Sequence, residues 1–137
     1  DFTKDGVRLA LGDPSATAIG KSTVKLLKGH GITEAVEKNV VTRGATNQEL
    51  VTAVVMGTAD ATITTLDMIN PETMDFIPIP VEENLALIIP IGTTTFTDQE
   101  TLARMFVDFV ASDRGKAIFV RHGFPSYPDP LYAGVTP

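Results

Sequence analysis

The feature that most constrains the fold is an apolar segment that passes through a turn of small residues directly into a helix. Residues 7–11 are short and apolar, which predicts a buried strand, and the turn GDPSATAIG at 12–20 follows at once. A helix is predicted over 15–29, with Asp13 or Ser15 as its start signal. Such a junction leaves the first backbone N–H groups of the helix unpaired, which is how a protein can hold a small anion without a charged side chain.

The same order of elements recurs once, around residues 43–49. A brief strand is predicted over 39–42, and the sequence TNQE at 46–49 is a capping-box pattern in front of an apolar helix that stops at Gly57. Two such helix starts facing one cleft would make an oxyanion receptor.

The remaining elements of the N-terminal part also alternate between strand and helix. A short helix is predicted over 33–38, a strand over 59–64 and an extended segment over 75–79, and residues 85–89 carry the strongest buried-strand signal. This order predicts an α/β fold with a mainly parallel sheet flanked by helices.

The C-terminal third is predicted to be helical. The sequence TDQE at 97–100 is a second capping-box pattern, and it opens a helix with an apolar stripe. Another helix is predicted over 113–122, ending at Gly123, and an irregular tail rich in proline follows.

Composition excludes several classes of function. The chain has 137 residues and no cysteine, which excludes disulfides, thiolate metal sites and a cysteine nucleophile. Its net charge of −6 argues against a nucleic-acid surface and requires that any bound anion be held by local donors. No apolar run approaches the roughly 20 residues of a membrane-spanning helix, and no signal peptide is visible. We expect no cofactor and no metal.

Three motifs in consistent order resemble the extracytoplasmic molybdate- and tungstate-binding proteins of ABC importers. They are the turn at 12–20, the sequence GTADA at 57–61, and SDRGKAIF at 112–119, which is followed by Gly123 and Phe124. The resemblance covers residues 7–124. It implies a type II periplasmic-binding-protein fold, in which two α/β lobes hold the oxyanion between them, and only the C-terminal part of that pattern is present here.

The resemblance also implies a division of the chain. Residues 7–80 would form the second α/β lobe, and residues 81–137 (a returning strand, two helices and a tail) would belong to the first lobe. The resemblance further implies an extracytoplasmic location, in the periplasm or anchored at the cell surface, and an ABC permease as the partner of the full-length protein. Because the helical stripe over 97–122 would then lack its cover, we expect these helices to fold back onto the lobe or to pair with a second copy in a homodimer.

The family pattern points to four ligand-binding positions. Ile19 takes the position whose backbone N–H contacts the anion, with Gly20 beside it, and Asn47 takes the second such position. Thr65 falls where many relatives carry a tyrosine whose hydroxyl contacts the oxyanion.

Each of these residues also has a purely structural interpretation. Gly20 could serve close packing, Asn47 capping, and Thr65 a strand end. For the titratable residues, the structural interpretation is favoured over binding or catalysis: a solvated surface role for Lys21 and Arg43, helix ends for His30 and His122, and turns for Asp60 and Asp67.

Two other functions compete with that of an oxyanion receptor. The chain could be the effector-sensing domain of a transcription regulator, since such domains share the bilobed fold. An enzyme finds no support, because no dinucleotide-binding or phosphate-binding loop, nucleophile elbow or metal-ligand spacing is present.

Overall fold

The computed structural model describes residues 1–86 and 88–130, and it divides the chain into two compact units. The first unit runs from Asp1 to Asn84, and the second begins at Leu85. The elements of the first unit are β1 (Leu9–Gly12), α1 (Ala18–Gly29), α2 (Thr33–Glu37), β2 (Val40–Gly44), α3 (Asn47–Val55) and β3 (Ala61–Thr62), with short 3-10 turns at Leu66–Met68 and Val81–Glu83. The second unit contains α4 (Glu100–Ala111) and α5 (Asp113–Arg121).

The strands of the first unit form a parallel sheet with the order β2-β1-β3. Strand β1 lies in the centre, where Leu9 pairs with Val40 on one side and with Ala61 on the other. Helices lie against this sheet, so the predicted α/β class, a parallel sheet flanked by helices, is confirmed.

The core forms on both faces of β1 because successive side chains of a strand point to opposite faces. Leu9 and Leu11 are fully buried against Leu27 of α1 and Val36 of α2. Ala10 faces the other way, into a cluster that includes Leu50 of α3. A central strand buried on both faces explains why its sequence is continuously apolar.

Two of the boundaries that differ from the prediction in the first unit are explained by hydrogen bonds. Helix α1 begins at Ala18 behind the cap Thr17, because the Asp13 carboxylate accepts bonds from the Ser15 amide and hydroxyl (2.7 and 2.6 Å) and so closes a local turn. Strand β3 has only two residues and begins at Ala61, because the Ala59 amide instead donates to the carbonyl of Ala53 in α3.

The prediction of a strand over 85–89 is wrong for the residues of that range that the structure describes. Leu87 lies outside the described residues. Residues 85–86 and 88–89 are not in a strand, and Ile89 is 83% exposed. An apolar run specifies a preference for burial, but a strand also requires a neighbouring strand to accept its hydrogen bonds. None of the strands in the described part of the chain pairs with this segment.

Helix α4 starts two residues later than the second capping-box pattern predicts, because Gln99 rather than Thr97 precedes the helix. The Thr97 hydroxyl accepts a bond from the Gln99 amide (3.1 Å), which forms a turn, and Gln99 then precedes the helix without a side-chain cap. The predicted apolar stripe is present on α4, and its residues Leu102, Met105, Phe106 and Phe109 are exposed.

Arg8 and Asp60 link the amino ends of β1 and β3. The guanidinium donates to both carboxylate oxygens (2.6 and 3.2 Å), and the Arg8 amide donates to Oδ2 (2.8 Å). These hydrogen bonds, and the charge of Arg8, lower the pKa of the Asp60 carboxyl. A lowered pKa stabilises the fold above the ordinary carboxyl pKa, and this stabilisation is lost as the pH falls through the lowered value.

We therefore expect Asp60→Asn to flatten the acid side of the stability profile. The variant should be less stable than the wild type at neutral pH, and the two should converge as the pH falls below the ordinary pKa of a carboxyl group. Urea unfolding at a series of pH values measures this. An equally steep acid loss in both proteins would contradict the role given to the ion pair.

Candidate functional site

The candidate site lies at the carboxyl ends of β1 and β2, where the chain leaves adjacent strands toward opposite faces of the sheet. Helix α1 follows β1 and packs with α2 on one face, and α3 follows β2 and packs on the other. Ligands of open parallel sheets bind in the crevice at such a change of direction. We call this region, with the turns that begin both helices and residues 63–65 after β3, the carboxyl edge.

The start of α1 presents two backbone amides to this edge. Thr17 caps the helix: its hydroxyl accepts from the Gly20 amide (2.9 Å) and lies within hydrogen-bond distance of the Asp13 carbonyl (3.0 Å). Among the described residues, no acceptor contacts the amides of Ala18 and Ile19. These two N–H groups are therefore available to a ligand.

Gly20 allows the first turn of α1 to approach β1 closely. A Cβ at this position would lie 2.5 Å from the Asp13 carbonyl carbon and oxygen and 2.7 Å from the Gly12 oxygen. Only glycine fits this close approach, and its amide is already used by the Thr17 cap.

The start of α3 repeats this arrangement. The Thr46 hydroxyl accepts from the Glu49 amide (3.2 Å), and the Glu49 carboxylate accepts from the Ala45 amide (2.8 Å), one residue before the cap. The spacing of Thr46 and Glu49 predicts a capping box, and it is formed with one difference: the Glu49 carboxylate accepts from the amide before the cap residue rather than from that of the cap residue itself. The amides of Asn47 and Gln48 meet no acceptor within the described parts of the chain.

Asn47 and Thr65 are brought together at the carboxyl edge. The Asn47 side-chain amide donates to the Thr65 hydroxyl oxygen at 3.2 Å, which leaves the Thr65 proton free to be donated. The neighbouring Thr64 hydroxyl is buried and has no hydrogen-bond partner among the described residues. The edge therefore carries two hydroxyl groups with unused donors beside the start of α3.

Ile19 connects the two helix starts. Its side chain belongs to the buried cluster of Ala10, Leu50 and Ala59, on the face of the sheet that α3 covers. The first turn of α1 thus shares packing with Leu50, which lies one turn into α3. The two helix starts are therefore packed against one buried cluster.

Arg43, at the end of β2, is a residue whose place sequence reasoning missed. Its Nη1 donates to the Gly12 carbonyl (3.0 Å), its Nη2 pairs with Glu37, and its side chain is only 27% exposed. The prediction of a solvated surface role was therefore wrong. The sequence shows only an arginine directly before a glycine at a strand end, and this pattern does not predict which groups the arginine contacts.

Two backbone carbonyl groups at the carboxyl edge, those of Gly12 and Gly44, are paired. Arg43 binds the Gly12 carbonyl, and the Asp13 amide donates to the Gly44 carbonyl at 2.9 Å. Bonds from Ser15, and more weakly the charge of Arg43, lower the pKa of the Asp13 carboxyl. The donors left unpaired at this edge are N–H and O–H groups, which suit an anion.

The other titratable residues take structural positions. Asp60 pairs with Arg8 rather than with Asp67, and His30 ends α1, 3.8 Å from the Glu83 carboxylate. His122 ends α5. Within the described residues, no group of histidines and carboxylates could hold a metal ion.

Comparison with known families decides the class of the protein. The family model of bacterial extracellular solute-binding proteins matches residues 1–125. The chain belongs to this family. No curated protein and no solved structure is significantly similar to it.

Membership of the solute-binding family indicates that the chain binds a small molecule for transport, works with a transporter and is located outside the cytoplasm. Proteins of such a family are typically not enzymes. In the described part of this solute-binding protein, no helix has the length and apolar character needed to cross a membrane.

Proposed function

We propose that this solute-binding protein binds a tetrahedral oxyanion, molybdate or tungstate, at the carboxyl edge, for uptake through an ABC transporter. One observation carries the proposal: two helix starts at neighbouring strand ends each leave a pair of amides without an acceptor among the described residues. These amides belong to Ala18 and Ile19 on α1 and to Asn47 and Gln48 on α3.

The chemistry of these donors favours a dianion. Backbone amides do not titrate near neutral pH, and each helix dipole adds positive potential at the carboxyl edge. A hydrogen bond to a charged group contributes about 1.5–3 kcal/mol. Several such bonds offset the unfavourable field of a chain with net charge −6.

Each predicted site residue has a role in this proposal. Ile19 and Asn47 donate their backbone amides to the anion, and Thr65 donates the hydroxyl proton that its contact with Asn47 leaves unused. Gly20 lets the first turn of α1 lie close to β1, which positions the Ile19 amide.

We further propose how the chain serves the whole receptor. Residues 7–80 would act as the second lobe and residues 81–137 as part of the first. Binding of the anion would close the lobes of the receptor by a hinge motion. The closed form would be recognised by an ABC permease, either in the periplasm or at the cell surface.

We also propose that the exposed stripe of α4 pairs in a homodimer through residues 97–122, because large exposed apolar patches mark interaction surfaces. Sedimentation should then give a concentration-dependent dimer. A monomer at every concentration would exclude it.

Ligand screening by thermal shift tests the proposal. Molybdate and tungstate should raise the melting temperature, sulfate should do so less, and a panel of organic metabolites should have no effect. A shift only with organic ligands would remove the oxyanion from consideration and favour an effector-sensing role.

Thr65→Val provides the matching site variant. The loss of one hydroxyl donor to a dianion should weaken molybdate binding by about ten-fold or more, because such a bond contributes about 1.5–3 kcal/mol. Thr42→Val, an exposed position on β2, is the control and should leave the affinity unchanged. Equal effects of the two variants would argue against a donor role for Thr65.

A further inference from the structure

We infer that Arg43 makes the site prefer a doubly charged anion over a singly charged anion of the same shape, and that it does so through its charge rather than by contact with the ligand. The inference rests on the proposed oxyanion site. Four neutral amides and a hydroxyl recognise the shape of a tetrahedral anion, but they do not by themselves explain a strong preference for charge. A fixed cation beside them does.

The first support is the position of the guanidinium. Its Nη1 lies 3.0 Å from the Gly12 carbonyl oxygen, at the last residue of β1. Gly12 is also in tight contact with the first turn of α1, since a Cβ added to Gly12 would lie 2.9 Å from the Gly20 nitrogen. The cation therefore lies within one residue of the turn that presents the Ile19 amide.

The second support is that Arg43 is held in place. The Gly12 carbonyl and the Glu37 carboxylate occupy two different nitrogens of its guanidinium, and the side chain is largely covered. These two bonds hold the positive charge of Arg43 beside the last residue of β1, at the carboxyl edge.

The third support is the balance of charges around the site. The carboxylates on the elements that meet here are Asp13, which is turned onto Ser15, Glu37 at the end of α2, and Glu49, which accepts from Ala45. Arg43 is the cation bonded within this group, and the nearby Lys21 is exposed. Without Arg43, these three carboxylates would have no bonded cation among them, and their repulsion of the ligand would be twice as large for a dianion as for a monoanion.

A pair of tetrahedral anions of similar size tests this inference. Molybdate carries two charges and perrhenate carries one, so the ratio of their dissociation constants measures charge preference with shape held constant. In Arg43→Gln, molybdate affinity should fall about 30-fold and perrhenate affinity about five-fold, since Coulomb energy is proportional to the charge of the ligand. Titration calorimetry measures both constants.

Three further variants separate charge from structure. Arg43→Lys should keep the wild-type ratio, because the charge is retained although the two-partner geometry is lost. Glu37→Gln should shift the ratio toward molybdate, and the double variant R43Q/E37Q should return it close to the wild-type value. If Arg43→Gln fails to fold, the opposite shift expected for Glu37→Gln still tests the inference.

The outcomes distinguish this inference from the proposal beneath it. If the wild-type protein binds neither anion, the oxyanion site itself is wrong. If it binds molybdate but Arg43→Gln weakens both anions by the same factor, Arg43 has only a structural role, and the inference is overturned while the site stands.

Discussion

Replacing Leu50 by alanine is expected to lower the free energy of unfolding by about 2–5 kcal/mol, the range found for removal of large buried aliphatic side chains. Leu50 is fully buried and shares its cluster with Ala10 of β1, Ile19 of α1 and Ala59. Its removal leaves a cavity between α3 and the sheet, under the point where the two helix starts are packed together. Chemical denaturation followed by circular dichroism measures the loss.

Val55→Ala is the matched control, because Val55 lies on the same helix and is 50% exposed. It should cost much less than the variant at position 50. Under the proposed function, Leu50→Ala should also weaken oxyanion binding at temperatures where it remains folded, since the Ile19 turn loses its support. Comparable losses of stability in the two variants would contradict the assignment of Leu50 to the core.

Gly20→Ala is expected to destabilise the protein by about 1–3 kcal/mol or more, the usual cost of forcing atoms into a packed region. The added Cβ would lie 2.5 Å from the Asp13 carbonyl carbon and oxygen, and these are backbone atoms that cannot rotate away. The first turn of α1 must therefore move off β1. Because alanine has a higher helix propensity than glycine, any loss of stability in this variant can be assigned to the steric clash.

Gly29→Ala provides the control on the same helix. A Cβ at Gly29 would have no atom within 4 Å, so this substitution should leave stability unchanged or raise it slightly. If both variants were equally stable, α1 would not be packed against the β1 turn as described.

Local signals in the sequence predicted the α/β class and the cap of α3. The pairing of Thr46 with Glu49 depends on residues three apart, so its spacing alone carries the information. The start of α1 was harder to predict, because Asp13, Ser15 and Thr17 are all good caps. Thr17 is the cap in the structure, because the Asp13 carboxylate accepts hydrogen bonds from Ser15 instead of capping the helix.

Features that depend on distant partners could not be predicted from local pattern. Residues 85–89 are apolar enough for a buried strand, but strand formation depends on a neighbour that no local pattern specifies. The partner of Arg43 is the Gly12 carbonyl, 31 residues earlier in the chain. The proximity of Asn47 and Thr65 is likewise non-local, and these residues were named through the family resemblance rather than through their spacing.

Nuclear magnetic resonance titration with molybdate tests the central claim most directly, because it reports on individual backbone amides. We expect large shifts for the amides of Ala18, Ile19, Asn47 and Gln48, with small ones in the outer turns of α1 and α2. Shifts confined to other parts of the chain, or no shifts at saturating molybdate, would contradict it.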